Sequence, residues 1–349
     1  MRPRFHPRLV NSPLEDPGLF VPLAFEKRAL LFDIGRIATL SSRDILRISH
    51  IFVSHTHMDH FCGLDHLLRL FLGRAKTLFC FGPAGFLANI EGKLAAYNWN
   101  LVARYREALR LIATEVTAGG LRQQTYDCRN GFRPQQPARQ SPFDPCLLNE
   151  TSLQVKTAIL DHGIPCLGFC LEEAFHINVV ADALQALGLD TGPWLQDFKQ
   201  ALYDRSDPQS IIEAPRRRLP GARATYRLGE LAERIARITP GQKIAYVTDV
   251  AGHEDNRRRI ADLARGADHL YIESAFLNED HAQALAKKHL TAGQAGEIAA
   301  RAGVKRFTIF HYSPRYTDGI HRFQDQARRA FAQTHALTAD ANTFQQDVD

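Results

Sequence analysis

The sequence lacks the long apolar runs that mark membrane proteins and secreted precursors. No stretch of about 18 apolar residues, the length a transmembrane helix needs, occurs among its 349 residues. The first residues, MRPRFHPRLVNSPLEDPG, contain no apolar core of the kind that a signal peptide requires. We therefore expect no membrane-spanning segment and a cytoplasmic location.

Cysteine is scarce as well, and none of the six cysteines forms a CxxC pair. In a reducing cytosol such cysteines are usually free thiols that serve as packing residues. Cys166 and Cys170 are close enough in sequence for a metal pair, but they lie on a predicted strand and no second pair accompanies them. We expect all six to be free packing residues.

Strong charge of either sign is also absent. The 43 Lys and Arg residues exceed the 38 Asp and Glu residues by a net charge of +5. This mild excess permits a nucleic-acid partner without requiring one. With 45% hydrophobic residues, the composition is that of a globular protein with one large domain or two small ones.

Strands and helices alternate along most of the chain, which predicts a layered α/β fold. Three segments interrupt this alternation: 84–117 has a helical pattern, 119–150 reads as a long loop or insertion, and 204–224 is irregular. Apolar runs bounded by turns predict strands over 30–33, 51–54, 76–81, 243–249, 269–274 and 305–311, and two more within 153–173. Helical spacing predicts helices after the histidine cluster and over 178–187, 195–203, 230–238, 256–265, 280–288, 291–302 and 319–331.

The stretch SHTHMDH places three histidines and an aspartate directly after the apolar run IFV. In an extended segment, residues two apart point to the same side, so His55 and His57 can face one point. Asp59 and His60 begin the following helix, where a turn can aim them at a second point nearby. Imidazole and carboxylate suit zinc, and also iron or manganese. The alternative is a polar turn that is merely rich in histidine.

Three further candidate ligands lie at or just after the ends of apolar runs. His162 follows QVKTAIL, Asp249 ends KIAYVTD, and His311 ends RFTIFH. In α/β proteins, functional groups gather at strand ends and in the loops that follow. Four separate segments thus deliver metal-binding side chains to one edge, which favours a metal site over a chance cluster.

With these residues in place, SHTHMDHFCGL resembles the HxHxDHxxGL signature of the metallo-β-lactamase superfamily. LDHGIPCLGFCLEE, YVTDV and the segment from YIESAFLNEDH to FTIFHYSPRY resemble the motifs of its ribonuclease Z branch, endonucleases that trim transfer-RNA 3′ ends. The resemblance implies a single domain over 1–349 with the four-layer αββα sandwich of this superfamily and a protruding helical arm.

The resemblance also implies a role for each site residue. Two divalent ions, Zn²⁺ first with Mn²⁺ or Fe as alternatives, would activate a water to hydroxide, and Asp59 would orient that water or accept its proton. Glu273 and His289 match a pair that protonates the leaving oxygen. Asp249 would bridge the two ions, one held by His55, His57, His162 and Asp249 and the other by Asp59, His60, Asp249 and His311.

The segment 176–225 resembles the arm with which ribonuclease Z grips transfer RNA. Gly192-Pro193 matches the Gly-Pro motif of that arm, and Lys199, Arg205 and Arg216 to Arg218 are candidates for phosphate contacts. An ordinary helix–turn–helix with a solvated loop is the alternative. The resemblance further implies a homodimer.

The N-terminal segment FHPRLVNSPLEDPGLFVPLAF departs from the branch, which usually has a PxKxRN-type loop there. The departure leaves every predicted metal ligand in place but bears on the substrate. The sequence predicts an endoribonuclease acting on precursor transfer-RNA 3′ ends. The alternatives are a hydrolase of a small phosphodiester, sulfate ester or thioester, and a non-catalytic RNA-binding module.

Overall fold

The computed structural model describes residues 3–24, 26–217, 219 and 221–346. By their contacts the residues fall into two compact units. Of the described residues, those within 5–147, 156–170 and 243–349 form the larger unit, and those within 1–4, 148–155 and 171–242 form the smaller. A single domain over 1–349 and an arm over 176–225 remain predictions.

Two large sheets carry most of the strands, and the alternation predicted from the sequence is present. The strands of the eight-stranded sheet lie side by side in chain order: β1 (Arg8–Leu9), β2 (Leu19–Pro22), β3 (Ala29–Phe32), β4 (Ile48–Phe52), β5 (Lys76–Gly82), β6 (Leu109–Thr117), β7 (Gly120–Asp127) and β8 (Arg139–Ser141). The six-stranded sheet has the order β18 (Phe307–Phe310), β17 (His269–Glu273), β16 (Lys243–Val247), β11 (Pro165–Glu173), β10 (Leu153–Asp161) and β9 (Cys146–Asn149).

The smaller unit contains two antiparallel pairs of strands. β12 (Phe175–Val179) pairs with β15 (Ala236–Pro240). β13 (Ile211–Pro215) pairs with β14 (Arg223–Arg227).

The helices are short except for the last. They are α1 (Ser42–Arg47), α2 (Met58–Phe61), α3 (Leu64–Phe71), α4 (Phe86–Ala95), α5 (Ala181–Ala186), α6 (Trp194–Tyr203), α7 (Leu228–Ile235), α8 (Glu254–Ala264), α9 (His281–Lys287), α10 (Ala292–Arg301) and α11 (His321–Gln346), with single 3₁₀ turns at Val102–Arg104, Cys128–Asn130 and Asn278–Asp280.

Buried aromatic rings join the two large sheets within the larger unit. Phe32 of β3 and Phe52 of β4 stack on each other at 5.2 Å, and Phe169 of β11 lies 5.7 Å from Phe32. Tyr246 of β16 lies 5.9 Å from Phe32. The sheets therefore pack face to face, as in a sandwich with an apolar interior.

Helices cover the outer face of each sheet. On α3, Leu64, Leu67, Leu68 and Phe71 are buried at helical spacing against the core of the eight-stranded sheet. α8, α10 and α11 contribute their apolar faces to the core of the six-stranded sheet. A Cβ on Gly296 of α10 would lie 2.1 Å from the Ala327 carbonyl oxygen of α11, so only glycine permits this close packing. The layers are helix, sheet, sheet and helix, as predicted.

Three segments that were predicted as helix, loop or irregular structure contain strands with polar residues, so these predictions were wrong. Residues 109–117, predicted as helix, form β6, in which Leu109, Leu111 and Ala113 alternate toward the core. The predicted loop 119–150 contains β7, β8 and β9, because the less buried face of β7 bears the polar side chains of Gln123 and Thr125. The irregular segment 204–224 contains β13 and the start of β14.

Smaller differences concern helix ends and the cysteines. The helix predicted over 230–238 ends at Ile235, and the last helix extends to Gln346. All six cysteines are free, and Cys166 and Cys170 are buried in the core, as expected. Across the described residues, every helix is too short or too polar to cross a bilayer.

Candidate metal centre

The structure brings the predicted metal ligands into two adjacent groups in the larger unit. Within each group, one ligand atom per residue lies within 4.8 Å of every other. The loops that follow β4, β10, β16 and β18 supply the side chains, since the carboxyl ends of these strands meet at one edge. One group contains His55, His57, His162 and Asp249, and the other contains Asp59, His60 and His311.

The carboxylate of Asp249 faces both groups. Its Oδ2 lies 3.3 Å from Nε2 of His60, 3.6 Å from Nε2 of His55 and 3.7 Å from Nε2 of His162. Its Oδ1 lies 2.9 Å from Nε2 of His311. One buried carboxylate thus lies within 3.7 Å of histidines of both groups, so it could serve either one.

Two histidine nitrogens at this centre have no hydrogen-bond partner among the described residues. Nε2 of His55 and Nε2 of His60 are both buried and unsatisfied. An unsatisfied buried polar atom costs free energy, so such atoms are rare in native proteins. A divalent cation would satisfy both lone pairs, and the nitrogen and carboxylate donors fit zinc, manganese or iron. The residues present therefore fit a metal.

Hydrogen bonds at the other ring nitrogen fix three of the histidines. Nδ1 of His60 lies 3.0 Å from Oδ2 of Asp33, and Nδ1 of His55 lies 3.1 Å from Oγ of Ser54. Nδ1 of His162 lies 2.8 Å from the carbonyl oxygen of Lys288. When such a ring is neutral and Nδ1 donates, Nε2 carries the lone pair and points to the centre, as in metal sites whose outer partners orient the ligands.

Asp33 is the residue that sequence reasoning missed. It ends the predicted strand LLFD, just as Asp249 ends KIAYVTD, and that position was the available signal. Besides His60, its carboxylate accepts hydrogen bonds from the Ser54 backbone at 2.6 Å and the Tyr246 hydroxyl at 2.9 Å. It therefore connects the two sheets beneath the centre and holds the His60 ring.

Several residues at the centre adopt a left-handed backbone conformation that favours glycine. The φ angles are 55° at Asp33, 46° at Asp249, 62° at Lys288 and 62° at His311. Such conformations cost free energy and cluster at functional sites, where the surrounding structure holds them. Here each one turns the chain sharply beside a candidate ligand.

The electrostatics of the centre favour positive charge. Burial would lower the pKa of His60, but the carboxylates of Asp249 and Asp33 raise it well above its ordinary value. Burial would raise the pKa of Asp249, but His311 and His60 hold it well below its usual range. For His55, burial and the nearby His60 both lower the pKa, to about 2. A cation is thus stabilised at the carboxylates while His55 stays neutral.

Asp59 is the more exposed carboxylate of the centre. Its side chain is 42% exposed, and its Oδ2 lies 3.4 Å from Nε2 of His60 and 3.7 Å from Nε2 of His311. Burial would raise its pKa, but the nearby His60 lowers it to about 2. Asp59 is therefore an ionised carboxylate that solvent can reach.

Glu273 and His289 form a pair beside Asp249. The fully buried Oε1 of Glu273 lies 3.2 Å from Nδ1 of His289 and accepts the Val250 backbone N–H at 2.8 Å. The His289 ring lies 4.9 Å from that of His162. Burial would lower the pKa of His289, but Glu273 raises it to about 9. His289 is therefore a cation with its other nitrogen, Nε2, available.

The candidate arm residues belong to the smaller unit. Gly192 and Pro193 precede α6, and the indole of Trp194 donates to the Asp190 carbonyl at 2.8 Å. Lys199 is half-buried, and its burial lowers the pKa of its ammonium group. Arg216 and Arg217 lie in the described part of the chain, whereas Arg218 lies outside the described residues.

Comparisons with known proteins point to one superfamily. The family model described as Metallo-beta-lactamase superfamily matches residues 15–71. A ribonuclease Z of Deinococcus radiodurans is 28% identical over 327 residues, covering 92% of this chain and 94% of that protein. A ribonuclease Z of Treponema pallidum is 29% identical over 322 residues, covering 90% of this chain and 87% of that protein.

A solved structure supports the fold. The metallo-β-lactamase fold protein YhfI from Bacillus subtilis superposes with a TM-score of 0.51 at 15% identity, covering 94% of each chain. At this identity the likeness concerns the fold alone. Together with the helix, sheet, sheet and helix layers, it confirms the predicted sandwich.

Proposed function

We propose that this chain, a member of the metallo-β-lactamase superfamily and a divergent relative of ribonuclease Z, hydrolyses phosphodiester bonds in RNA. The substrate proposed is a transfer-RNA precursor with a 3′ extension. The observation that carries this proposal is the pair of ligand groups whose histidines both face the carboxylate of Asp249, with His289 beside them.

The proposed ligand sets follow those groups. His55, His57 and His162 with Asp249 would hold one divalent ion, and Asp59, His60 and His311 with Asp249 would hold the other. The buried, unsatisfied Nε2 atoms of His55 and His60 support this assignment. We propose zinc as the ion, with manganese or iron as alternatives that the same donors accept.

Two divalent ions at such a site lower the pKa of a water and neutralise charge on the phosphodiester. The chain's own residues would manage the protons. Asp59, ionised and within reach of solvent, accepts a proton from the attacking water. As the new phosphorus–oxygen bond forms, the bond to the leaving 3′ oxygen breaks, and Nε2 of His289 donates a proton to that oxygen. Glu273 positions His289 and keeps it protonated.

The direct experiment is to incubate the metal-loaded protein with a 3′-extended transfer-RNA precursor. We expect a shortened transfer RNA with a 3′ hydroxyl and a released extension with a 5′ phosphate. A ribonuclease Z of known activity serves as the positive control. If that control cleaves the precursor while this protein, with its ions verified by elemental analysis, does not, the RNA substrate is wrong.

A second candidate substrate is favoured by the N-terminal segment. The Pro13 carbonyl accepts the Tyr312 backbone N–H at 2.7 Å, next to His311. Asp16 lies three residues after Pro13, and its carboxylate accepts the Cys62 thiol at 3.6 Å, two residues after His60. A carboxylate at this place would disfavour a polyanion. Under this alternative the protein hydrolyses a small phosphodiester, a sulfate ester or a thioester. Turnover of such a compound without any binding of RNA would select it.

The remaining features come from the ribonuclease Z resemblance alone. We propose that the protein is cytoplasmic and a homodimer, and that Gly192, Pro193 and Lys199 belong to an RNA-gripping arm. Sedimentation equilibrium checks the dimer, with twice the 39.2 kDa chain mass as the expected result. The half-buried environment of Lys199 favours a role in packing over direct phosphate contact.

A further inference from the structure

A basic groove lies in the larger unit, away from the candidate metal centre. It has a volume of about 340 Å³ and runs between the edge strand β18 and α11. Residues 305–309 form one wall, and the side chains of Gln324, Ala327, Arg328 and Phe331 form the other. These helix positions recur at helical spacing, so a single face of α11 lines the groove.

The groove is lined by three cationic side chains, two of which form no ion pair among the described residues. Lys305, Arg306 and Arg328 line it, and no acidic residue does so in the described part of the chain. Lys305 pairs with Asp268 at 2.6 Å. Arg306 and Arg328 are exposed and have no ion pair among the described residues. Two exposed arginines that line one groove and have no ion pair among the described residues favour an anionic ligand.

Each wall of the groove also contributes an aromatic ring. The rings of Phe307 and Phe331 lie 5.2 Å apart and are both half-buried, so part of each ring faces outward. Arginines beside exposed aromatic surface are the combination with which proteins bind single-stranded nucleic acid, since phosphates contact the cations and bases stack on the rings. A simple anion would use the arginines but not the rings.

The groove and the candidate metal centre lie along the same strand. Arg306 precedes β18, and His311 follows it. At about 3.3 Å per residue the two are separated by about 16 Å along the strand, which about five stacked nucleotides would span. We propose that the basic groove binds the single-stranded part of an RNA whose cleaved bond lies at the metal centre. This proposal rests on the proposed RNA substrate.

The test compares an Arg306→Ala/Arg328→Ala double variant with a control, Arg69→Ala/Arg74→Ala. The control removes the same charge from exposed arginines of the larger unit that have no ion pair among the described residues. Substrates are RNA stems with single-stranded extensions of two or ten nucleotides, placed on either side of the cleaved bond. We expect KM to rise several-fold for ten-nucleotide extensions only, with kcat unchanged and the control like wild type. An equal rise on both lengths, an equal rise in the control, or no rise would overturn the proposal.

Binding without cleavage separates the groove from the proposed function. The probe is a labelled ten-nucleotide 2′-O-methyl RNA, followed by fluorescence anisotropy. Between 50 and 200 mM salt, the double variant should lose roughly tenfold less affinity than wild type, because two phosphate contacts are gone. If this holds while no precursor is cleaved, the groove stands and the proposed substrate fails. If an acidic peptide or inorganic phosphate displaces the RNA at a lower concentration than unlabelled RNA does, the groove binds that ligand instead.

Discussion

The two compact units each contain a buried cluster of histidine and carboxylate, and the clusters differ in how their polar atoms are satisfied. In the smaller unit, Glu173 accepts hydrogen bonds from His176, from the Tyr203 hydroxyl and from the Gln242 backbone. The second ring nitrogen of His176 lies 3.2 Å from the Asn178 side-chain oxygen. In the larger unit, the Nε2 atoms of His55 and His60 have no such partner among the described residues.

This difference separates a structural cluster from a ligand-binding one. Every ring nitrogen of His176 has a partner, so that cluster needs nothing from outside the chain. Around Asp249, several Nε2 atoms converge on one carboxylate at distances between 2.9 and 3.7 Å, and hydrogen bonds fix the opposite nitrogens of three of them. A cation at that point would satisfy all of them together. The clusters should therefore respond in opposite ways to loss of their carboxylate.

The largest effect is expected from Asp249→Ala. Because Asp249 touches histidines of both groups, its loss should remove both ions and lower phosphodiesterase activity on the order of a thousandfold or more. Elemental analysis after gel filtration measures the ions, and a stopped assay measures the activity. Asp255→Ala, on the exposed surface of α8, is the control and should keep both ions. Two ions retained by Asp249→Ala would refute the bridging assignment.

Loss of the carboxylate in the smaller unit should affect stability instead of metal binding. Glu173→Ala leaves His176, the Tyr203 hydroxyl and the Gln242 N–H without their acceptor in a buried place. We expect a loss of about 3–5 kcal/mol in the free energy of unfolding. Urea denaturation followed by circular dichroism measures it, and the metal content should equal that of wild type. If Glu173→Ala had wild-type stability but bound fewer ions, the cluster in the smaller unit would be the one that supports metal binding.

The sequence predicted the centre better than the cluster in the smaller unit, for a physical reason. His55, His162, Asp249 and His311 follow apolar strands, and the parallel strands of a layered fold bring their carboxyl ends to one edge. The cluster around Glu173 and His176 is completed by Tyr203 and Gln242, which donate hydrogen bonds to Glu173. These two residues are distant in sequence and come close only after folding.

The strands of the fold could be predicted where their residues form a local apolar pattern, and not where they do not. Strands buried on both faces, such as β16 and β17, are continuous apolar runs, and their positions were predicted to within a few residues. β7 has one exposed face with polar side chains, and its sequence therefore resembles that of a loop. Asp33 was missed because its contacts with His60 and Tyr246 form between segments that the sequence does not connect.

An effect of intermediate size, on metal affinity, is expected from Asp33→Asn. The amide keeps the size of the side chain but removes the charge that holds the Nδ1–H of His60. Loss of such an outer partner typically weakens metal affinity by about 10- to 100-fold. Competition with a chromophoric chelator measures the affinity, and Asp65→Asn, on α3 and paired with Lys93, is the matched control. Unchanged affinity would mean that Asp33 only joins the sheets.

The smallest effect concerns His269, a buried histidine whose Nδ1 has no hydrogen-bond partner among the described residues and whose Nε2 contacts the Thr308 hydroxyl at 2.8 Å. It has one unsatisfied nitrogen but belongs to neither ligand group, so an unsatisfied nitrogen alone does not make a metal site. Burial, followed by the charge of Arg306, lowers the pKa of His269 to about 4.

Below the ordinary histidine pKa of about 6.5, the unfolded chain binds a proton that the folded chain does not bind until about pH 4. Stability should therefore fall as the pH is lowered through this window, by about 1 kcal/mol after allowance for solvent screening. The difference between wild type and His269→Asn in urea denaturation from pH 7 to pH 4 isolates this contribution. If the difference in unfolding free energy between the two proteins does not vary with pH, His269 takes up its proton over the same pH range in the folded and the unfolded chain. In that case the protonated ring must have a hydrogen-bond acceptor in the folded protein, as His176 has in Glu173 and Asn178.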